Sequence, residues 1–269
     1  MTLTTGHRVR KTSRRMADGR EIIYFDDTEP YLSGAAVREA VDTRPLPPAE
    51  QVVRGGSQVR YDPLTGEWIA MASHRNDRTF MPPADEDPLA PTRPGGFPTE
   101  VAEADYDVVV FENRFPAFSP RIGGEAGLVD GEALWPVRPA NGRTEVVCFS
   151  PAREGSFGSL SPRRARTVIE AWADRTAELG RLPGVEHVFV FENRGREIPG
   201  PEPLPYISGV HQAPVRTGRD LFRLHLQVFS VLRGPGRLKY LAGAESAMGA
   251  WISDAVPERI AARLREIAP

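Results

Sequence analysis

Along the chain, short apolar runs rich in Val, Ile and Phe alternate with stretches broken by Gly and Pro, and only two segments carry a helical period. The best-formed strands fall in 185–227. There VEHVFVFENRGREI reads as a buried strand leaving through a polar turn at Asn193–Gly195, followed by PYISGVH and FRLHLQVFSVL. Apolar residues on both parities predict strands covered on both faces or set in a layered core. Earlier strands are predicted in EIIYF, in Trp68 to Ala72 after a turn at Asp62-Pro63 and Thr65-Gly66, in YDVVVFENRFPAF and in TEVVCFS. The segment 34–41 reads as a turn or two of helix.

The main helix is predicted over 162–179. Ser161 is its N-cap and Pro162 its first residue, Gly180 ends it, and Ala165, Val168, Ile169, Trp172, Thr176 and Leu179 line an inward face. A second helix is predicted over 257–268 with Ile260, Leu264 and Ile267 inward. Strands, one long helix and more strands give an α+β class with a largely antiparallel sheet.

Composition changes this picture in few places. The 269 residues suffice for one large domain or two small ones, and 26 prolines imply long irregular connections. A formal charge of -2 argues against a nucleic-acid binder driven by bulk charge. The basic run of Arg8, Arg10, Lys11, Arg14 and Arg15 within 1–18 reads as a mobile tail, with a phosphate-contacting arm as the alternative. The single cysteine, Cys148, excludes an intrachain disulfide and reads as a buried, unreactive thiol. No apolar run reaches membrane-spanning length and the polar start lacks a signal-peptide core, so a cytoplasmic location without membrane contact is expected.

Candidate chemistry clusters at strand ends: Glu192, Asn193, Arg194, His211, His225 and Gln227. Arg75 and Arg78 follow the Trp68 strand, where they read equally as a phosphate-gripping pair or as solvated surface. The tripeptide Phe-Glu-Asn occurs twice, at 111–113 and 191–193, each after a Val-rich strand and each followed by Arg. Two asparagines at equivalent strand ends suit one polar ligand; coincidence of strand and turn chemistry explains them as well.

The ordered segments RYDPLTGEWIAMASHRNDR, YDVVVFENRFPAF, TEVVCFSP, VFVFENRGREI, YISGVHQAP, LHLQVFSVLR and KYLAGAES resemble the galactose-1-phosphate uridylyltransferase family of the Leloir pathway. The resemblance implies two histidine-triad-like α+β halves in a homodimer that moves a uridylyl group from UDP-glucose to galactose 1-phosphate. It divides the chain into a tail and extension (1–54), an N-terminal half (55–198) and a truncated remnant of the C-terminal half (199–269). It places Arg75 and Arg78 at phosphate, Asn113 and Asn193 near the nucleotide, and Lys239, Tyr240, Ala242 and Glu245 on the sugar side.

The family's nucleophile is the second histidine of an H-P-H-G-Q segment shortly after the FEN-R/K-G strand, where an imidazole attacks the α-phosphorus to form a phosphoramidate. Here that segment is missing. The histidines are His7, His74, His187, His211 and His225, with no His-x-His pair, so no catalytic residue is assigned. The resemblance therefore implies a chain inactive by itself, the alternative being a non-catalytic nucleotide- or sugar-phosphate-binding remnant. No cofactor is expected. The family's C-x-x-C zinc pair reads Asp87-Pro88-Leu89-Ala90 with a third position near Arg153, and the iron-type site keeps only His211 and His225, with Gln227 where a histidine is usual.

Overall fold

The computed structural model describes residues 7–45, 57–74, 87–119, 125–152, 155–194, 206–230 and 242–267. The chain forms two compact units, each threaded from separated lengths. The first comprises Met1–Val52, Thr79–Arg114 and Thr144–Ala177; the second comprises Val53–Arg78, Phe115–Arg143 and Glu178–Pro269.

The first unit is a four-stranded antiparallel sheet of β1 (Arg10–Arg15), β2 (Glu21–Asp26), β5 (Val108–Glu112) and β8 (Glu145–Cys148), in the order β1-β2-β5-β8. The Val-rich run of β5 is buried along its whole length, as its sequence predicts. Because side chains alternate across a strand, Val109 and Phe111 join Ile22, Tyr24, Met16, Val101 and Tyr106 on one face. Val108 and Val110 join Ile23 and Phe25 on the other, under Val168 and Ala171 of α1 (Pro162–Leu179).

Helix α1 has its predicted bounds, and the Ser161 hydroxyl accepts from the Arg164 N–H at 3.2 Å, the N-cap bond expected of that residue. Its inward face is turned from the predicted one. Thr167, Val168, Ala171 and Arg175 are buried, while Ile169 is exposed. Ion pairing decides this orientation: Arg175 grips the Glu145 carboxylate with two bonds of 2.9 and 3.0 Å, and the Thr167 hydroxyl donates to Asp27.

The basic run is no tail. Residues 10–15 pair along β2, placing Arg10 opposite Asp26 and Arg15 opposite Glu21, and Lys11 bridges to Asp174 at 2.7 Å. Beyond the Lys11–Asp174 pair, Arg14 donates to the Arg38 and Ser13 carbonyls and Arg15 to the Gly19 carbonyl, contacts that composition alone does not show. Nor is 34–41 helical: its turns and extended backbone carry Arg38 inward to a buried ion pair with Asp26.

In the second unit, β3 (Gln58–Asp62) and β4 (Glu67–Met71) form a hairpin closed where the Gly66 N–H donates to the Asp62 carbonyl at 2.8 Å. Gly66 has φ of 75°, a conformation costly for residues with a Cβ. Together with β6 (Gly127–Leu128), β7 (Pro136–Pro139) and β12 (Ile252–Ser253), the hairpin builds a five-stranded sheet in the order β12-β4-β3-β7-β6. A separate three-stranded antiparallel sheet holds β9 (Val190–Arg194), β10 (Tyr206–His211) and β11 (His225–Ser230), with β10 in the middle. The strand predicted from residue 185 starts only at Val190, and β9 and β11 are not covered on both faces: Phe191, Leu226 and Val228 are exposed. Two short helices complete the unit, α2 (Gly243–Ser246) and α3 (Pro257–Ile267). The inward stripe expected of α3 also faces solvent, since Ile260, Leu264 and Ile267 are exposed and the helix buries none of its residues. No helix among the described residues is long and apolar enough to cross a membrane.

Candidate functional site

Antiparallel register decides which side chains of the three-stranded sheet share a face. Gly209 stands opposite both Phe191 and Gln227, Ile207 opposite Asn193, and His211 opposite His225. These residues therefore occupy one face, and Glu192, Tyr206, Ser208, Leu226 and Val228 the other. Helix α2 lies on the first face, and two glycines permit its approach. A Cβ on Gly209 would come within 2.9 Å of Ala247 Cβ and Met248 Cε, and one on Gly243 would enter the Phe191 ring.

The start of α2 draws together three of the residues singled out from the sequence. The Gly243 N–H donates to Asn193 Oδ1 at 2.8 Å, and the Ala242 N–H donates to Glu245 Oε2 at 3.1 Å. Asn193 and Glu245 thus satisfy backbone donors that a helix start leaves open. On the opposite face the Tyr206 hydroxyl donates to Glu192 Oε2 at 2.8 Å, and Glu192 Oε1 is buried with no hydrogen-bond partner among the described residues.

His211 and His225 stack face to face, with ring centroids 4.6 Å apart and planes 1° from parallel. His225 Nδ1 bonds the Arg223 carbonyl at 2.9 Å, and His211 Nε2 is buried without a hydrogen-bond partner among the described residues. Phe222 lies 5.9 Å from the His225 ring and 6.4 Å from that of His187, which in turn tilts against Phe189 at 4.6 Å. Burial, with the nearby His211, lowers the His187 pKa below its ordinary 6.5. The His187 ring proton is accordingly expected to titrate below that of a free imidazole by NMR. The fold then favours neutral His187, so this contribution to stability is present above about 6.5 and lost as pH falls through the folded-state pKa. A His187 titration at or above 6.5 contradicts this.

The donor set does not fit the metals the family resemblance implies. Stacked imidazoles turn ring faces, not lone pairs, toward each other, and no group of three His, Cys, Asp or Glu able to hold a metal exists among the described residues. At the zinc-pair position, the Asp87 carboxylate accepts the Leu89 N–H at 3.0 Å to close a turn, and Ala90 offers no side-chain donor. Arg153 lies outside the described residues.

Asn113 follows β5 in the first unit, its N–H donating to the Thr144 carbonyl at 2.8 Å. Arg75, Arg78, Lys239 and Tyr240 lie outside the described residues. Cys148 is half-buried rather than fully buried, packed against the first core cluster, and desolvation pushes its thiol up to about 12, as an unreactive thiol requires. Sequence reasoning missed the buried ion network beside Glu112. Arg20 donates to the Glu112 carbonyl at 2.7 Å and pairs with Glu100 at 2.5 Å and Asp18 at 2.7 Å; Arg44 pairs with Glu100 at 2.8 Å and Asp42 at 2.7 Å. The only sequence signal was Asp two residues before Arg, at 18–20 and again at 42–44.

Comparison with known proteins bears on this arrangement. A family model described as "Galactose-1-phosphate uridyl transferase, N-terminal domain" matches residues 48–233. Galactose-1-phosphate uridylyltransferase of Streptomyces lividans is 45% identical over 190 residues, covering 71% of this chain and 45% of that protein. The Thermotoga maritima protein of the same name is 30% identical over 151 residues, 55% of this chain and 44% of that one. The chain spans less than half the length of these relatives. A solved chain titled "Structure of uridylyltransferase" is similar in fold, with a TM-score of 0.51 at 18% identity over 78% of this chain and 97% of that one.

Proposed function

Since the chain belongs to the galactose-1-phosphate uridylyltransferase family, we propose that it binds UDP-hexose and hexose 1-phosphate but does not complete uridylyl transfer by itself. One observation carries this reading. In an intact relative an H-P-H-G-Q segment would follow the FENRG strand; here β9 pairs instead with β10, whose sequence is YISGVH. The imidazoles on that sheet, His211 and His225, are packed against each other.

The chemistry explains why this matters. Forming a phosphoramidate needs an imidazole nitrogen in line with the α-phosphorus; the N–P bond forms as the bond to glucose 1-phosphate breaks. Binding groups without that nucleophile hold the substrate and leave the P–O bond intact. Arg75 and Arg78 are assigned to phosphate, Asn113 and Asn193 to the nucleotide, and Lys239, Tyr240, Ala242 and Glu245 to the hexose. A cytoplasmic homodimer belongs to the same reading.

Incubation with UDP-glucose labelled in the α-phosphate tests both halves of the proposal. Binding without label transfer is expected. A uridylylated histidine, or UDP-galactose formed on adding galactose 1-phosphate, overturns the inactive reading. A charge-assisted hydrogen bond contributes roughly 1.5–3 kcal/mol, so Arg75→Ala and Arg78→Ala should each weaken binding about 10- to 100-fold. Unchanged affinity in both variants, measured by calorimetry, overturns the binding reading.

A further inference from the structure

Gly209 is buried in β10, where the chain just past α2 packs against it. A Cβ there would stand 2.9 Å from two atoms that differ in their freedom to move. Met248 Cε is the tip of a flexible side chain and can swing aside, whereas Ala247 Cβ is fixed to the backbone. That backbone cannot yield alone. The Ser246 N–H donates to the Ala242 carbonyl at 2.9 Å, the Ala247 N–H to the Gly243 carbonyl at 3.1 Å and the Gly249 N–H to the Glu245 carbonyl at 3.1 Å. A side chain at position 209 therefore displaces these linked turns together.

Glu245 moves with them. Its Oε2 accepts the Ala242 N–H, and its Oε1 accepts no hydrogen bond among the described residues, so one oxygen closes the turn and the other is left for a ligand. Asn193 holds the same turn from the sheet, its Oδ1 accepting the Gly243 N–H at 2.8 Å. The acceptor and donors of an amide lie on opposite arms, so this bond also sets the direction of the Nδ2 donors.

We propose that Gly209 is a specificity-positioning residue. By letting α2 seat on the sheet it sets the second Glu245 oxygen where a hexose hydroxyl can donate to it, while touching no ligand itself. The inference rests on the assignment of Glu245 to the hexose and Asn193 to the nucleotide made above, and it adds how the two are joined. A charge-assisted hydrogen bond weakens steeply when its geometry is disturbed, so a displaced α2 costs recognition of the sugar more than recognition of the nucleotide.

Titration calorimetry of the full chain with UDP and with UDP-glucose reads the ratio of the two affinities. Gly209→Ala should lower the UDP-glucose-to-UDP ratio about 10- to 100-fold, the loss of one charge-assisted hydrogen bond. Adding Ala247→Gly to Gly209→Ala removes the fixed methyl group and should restore the ratio. Asn193→Asp keeps an acceptor for Gly243 and should keep the ratio whatever it costs in UDP affinity, whereas Asn193→Ala should lower it. An equal loss for both ligands in Gly209→Ala, the mark of a general packing role, overturns the proposal, as does a double variant without recovery. Should Gly209→Ala not fold, equal ratios in the two Asn193 variants overturn it. Glu245→Gln tests the underlying assignment separately. If it lowers the ratio while Gly209→Ala does not, the positioning role alone fails. If it leaves the ratio unchanged, or the chain binds neither ligand, the assignment fails and the inference with it.

Discussion

Asp26→Ala is expected to lower folding stability by about 3 kcal/mol, read from a denaturant or thermal unfolding curve. Asp26 is fully buried on β2, and its partner Arg38 is nearly so. Burial pushes the Asp26 carboxyl above its ordinary range; the Arg38 hydrogen bond opposes that, and the nearby Asp107 and Asp27 add to it. Removing the acid leaves a guanidinium with the Asp105 carbonyl at 2.6 Å, Glu103 at 3.8 Å and the Tyr31 ring at 3.5 Å. Those contacts hold the loss near the lower end of the range of about 3–5 kcal/mol for breaking a buried pair. Asp26→Asn keeps an acceptor and should cost less. The double change Asp26→Ala with Arg38→Met should be milder than Asp26→Ala alone, because no unpaired charge stays buried. Equal destabilisation by the single and double variants would sink this account.

The second large effect separates two identical tripeptides. Phe111 is 2% exposed at the centre of the first unit's sheet, whereas Phe191, the same residue of the second Phe-Glu-Asn, is 38% exposed under α2. Phe111→Ala should cost about 3–5 kcal/mol, the range for truncating a core phenylalanine, and Phe191→Ala about 1 kcal/mol. If the two variants melt together, the strands are equally buried in solution and the asymmetry described above is wrong.

That pair also marks the limit of legibility. Helix α1 was readable to the residue because Ser161 and Pro162 act through local backbone chemistry. Strand β5 was readable because an unbroken valine run has few alternatives to burial. The face of α1 was not, since it depends on a partner distant in sequence, and β1 was not, since RKTSRR lacks the apolar alternation of a strand although it pairs with the neighbouring β2. Arg175 is inside because Glu145 is there, and Lys11 of β1 is held by Asp174 of α1. At the candidate site, motif resemblance pointed to Asn193 and Glu245, but their bonds to the start of α2 follow from Gly209 and Gly243 admitting that helix.

The threading of the first unit from three lengths of chain has a consequence during synthesis. On the ribosome, β1 and β2 emerge carrying Ile22, Ile23, Tyr24 and Phe25, yet β5, which pairs with β2, follows roughly 90 residues later, and β8 and α1 later still. Until then the nascent hairpin shows an apolar surface that chaperones recognise. The arginines and lysine of β1 put charge along the edge of that hairpin, a pattern that discourages edge-to-edge pairing. A stall before residue 144 prolongs this exposed state, and a chain released there lacks both β8 and the helix that covers β5.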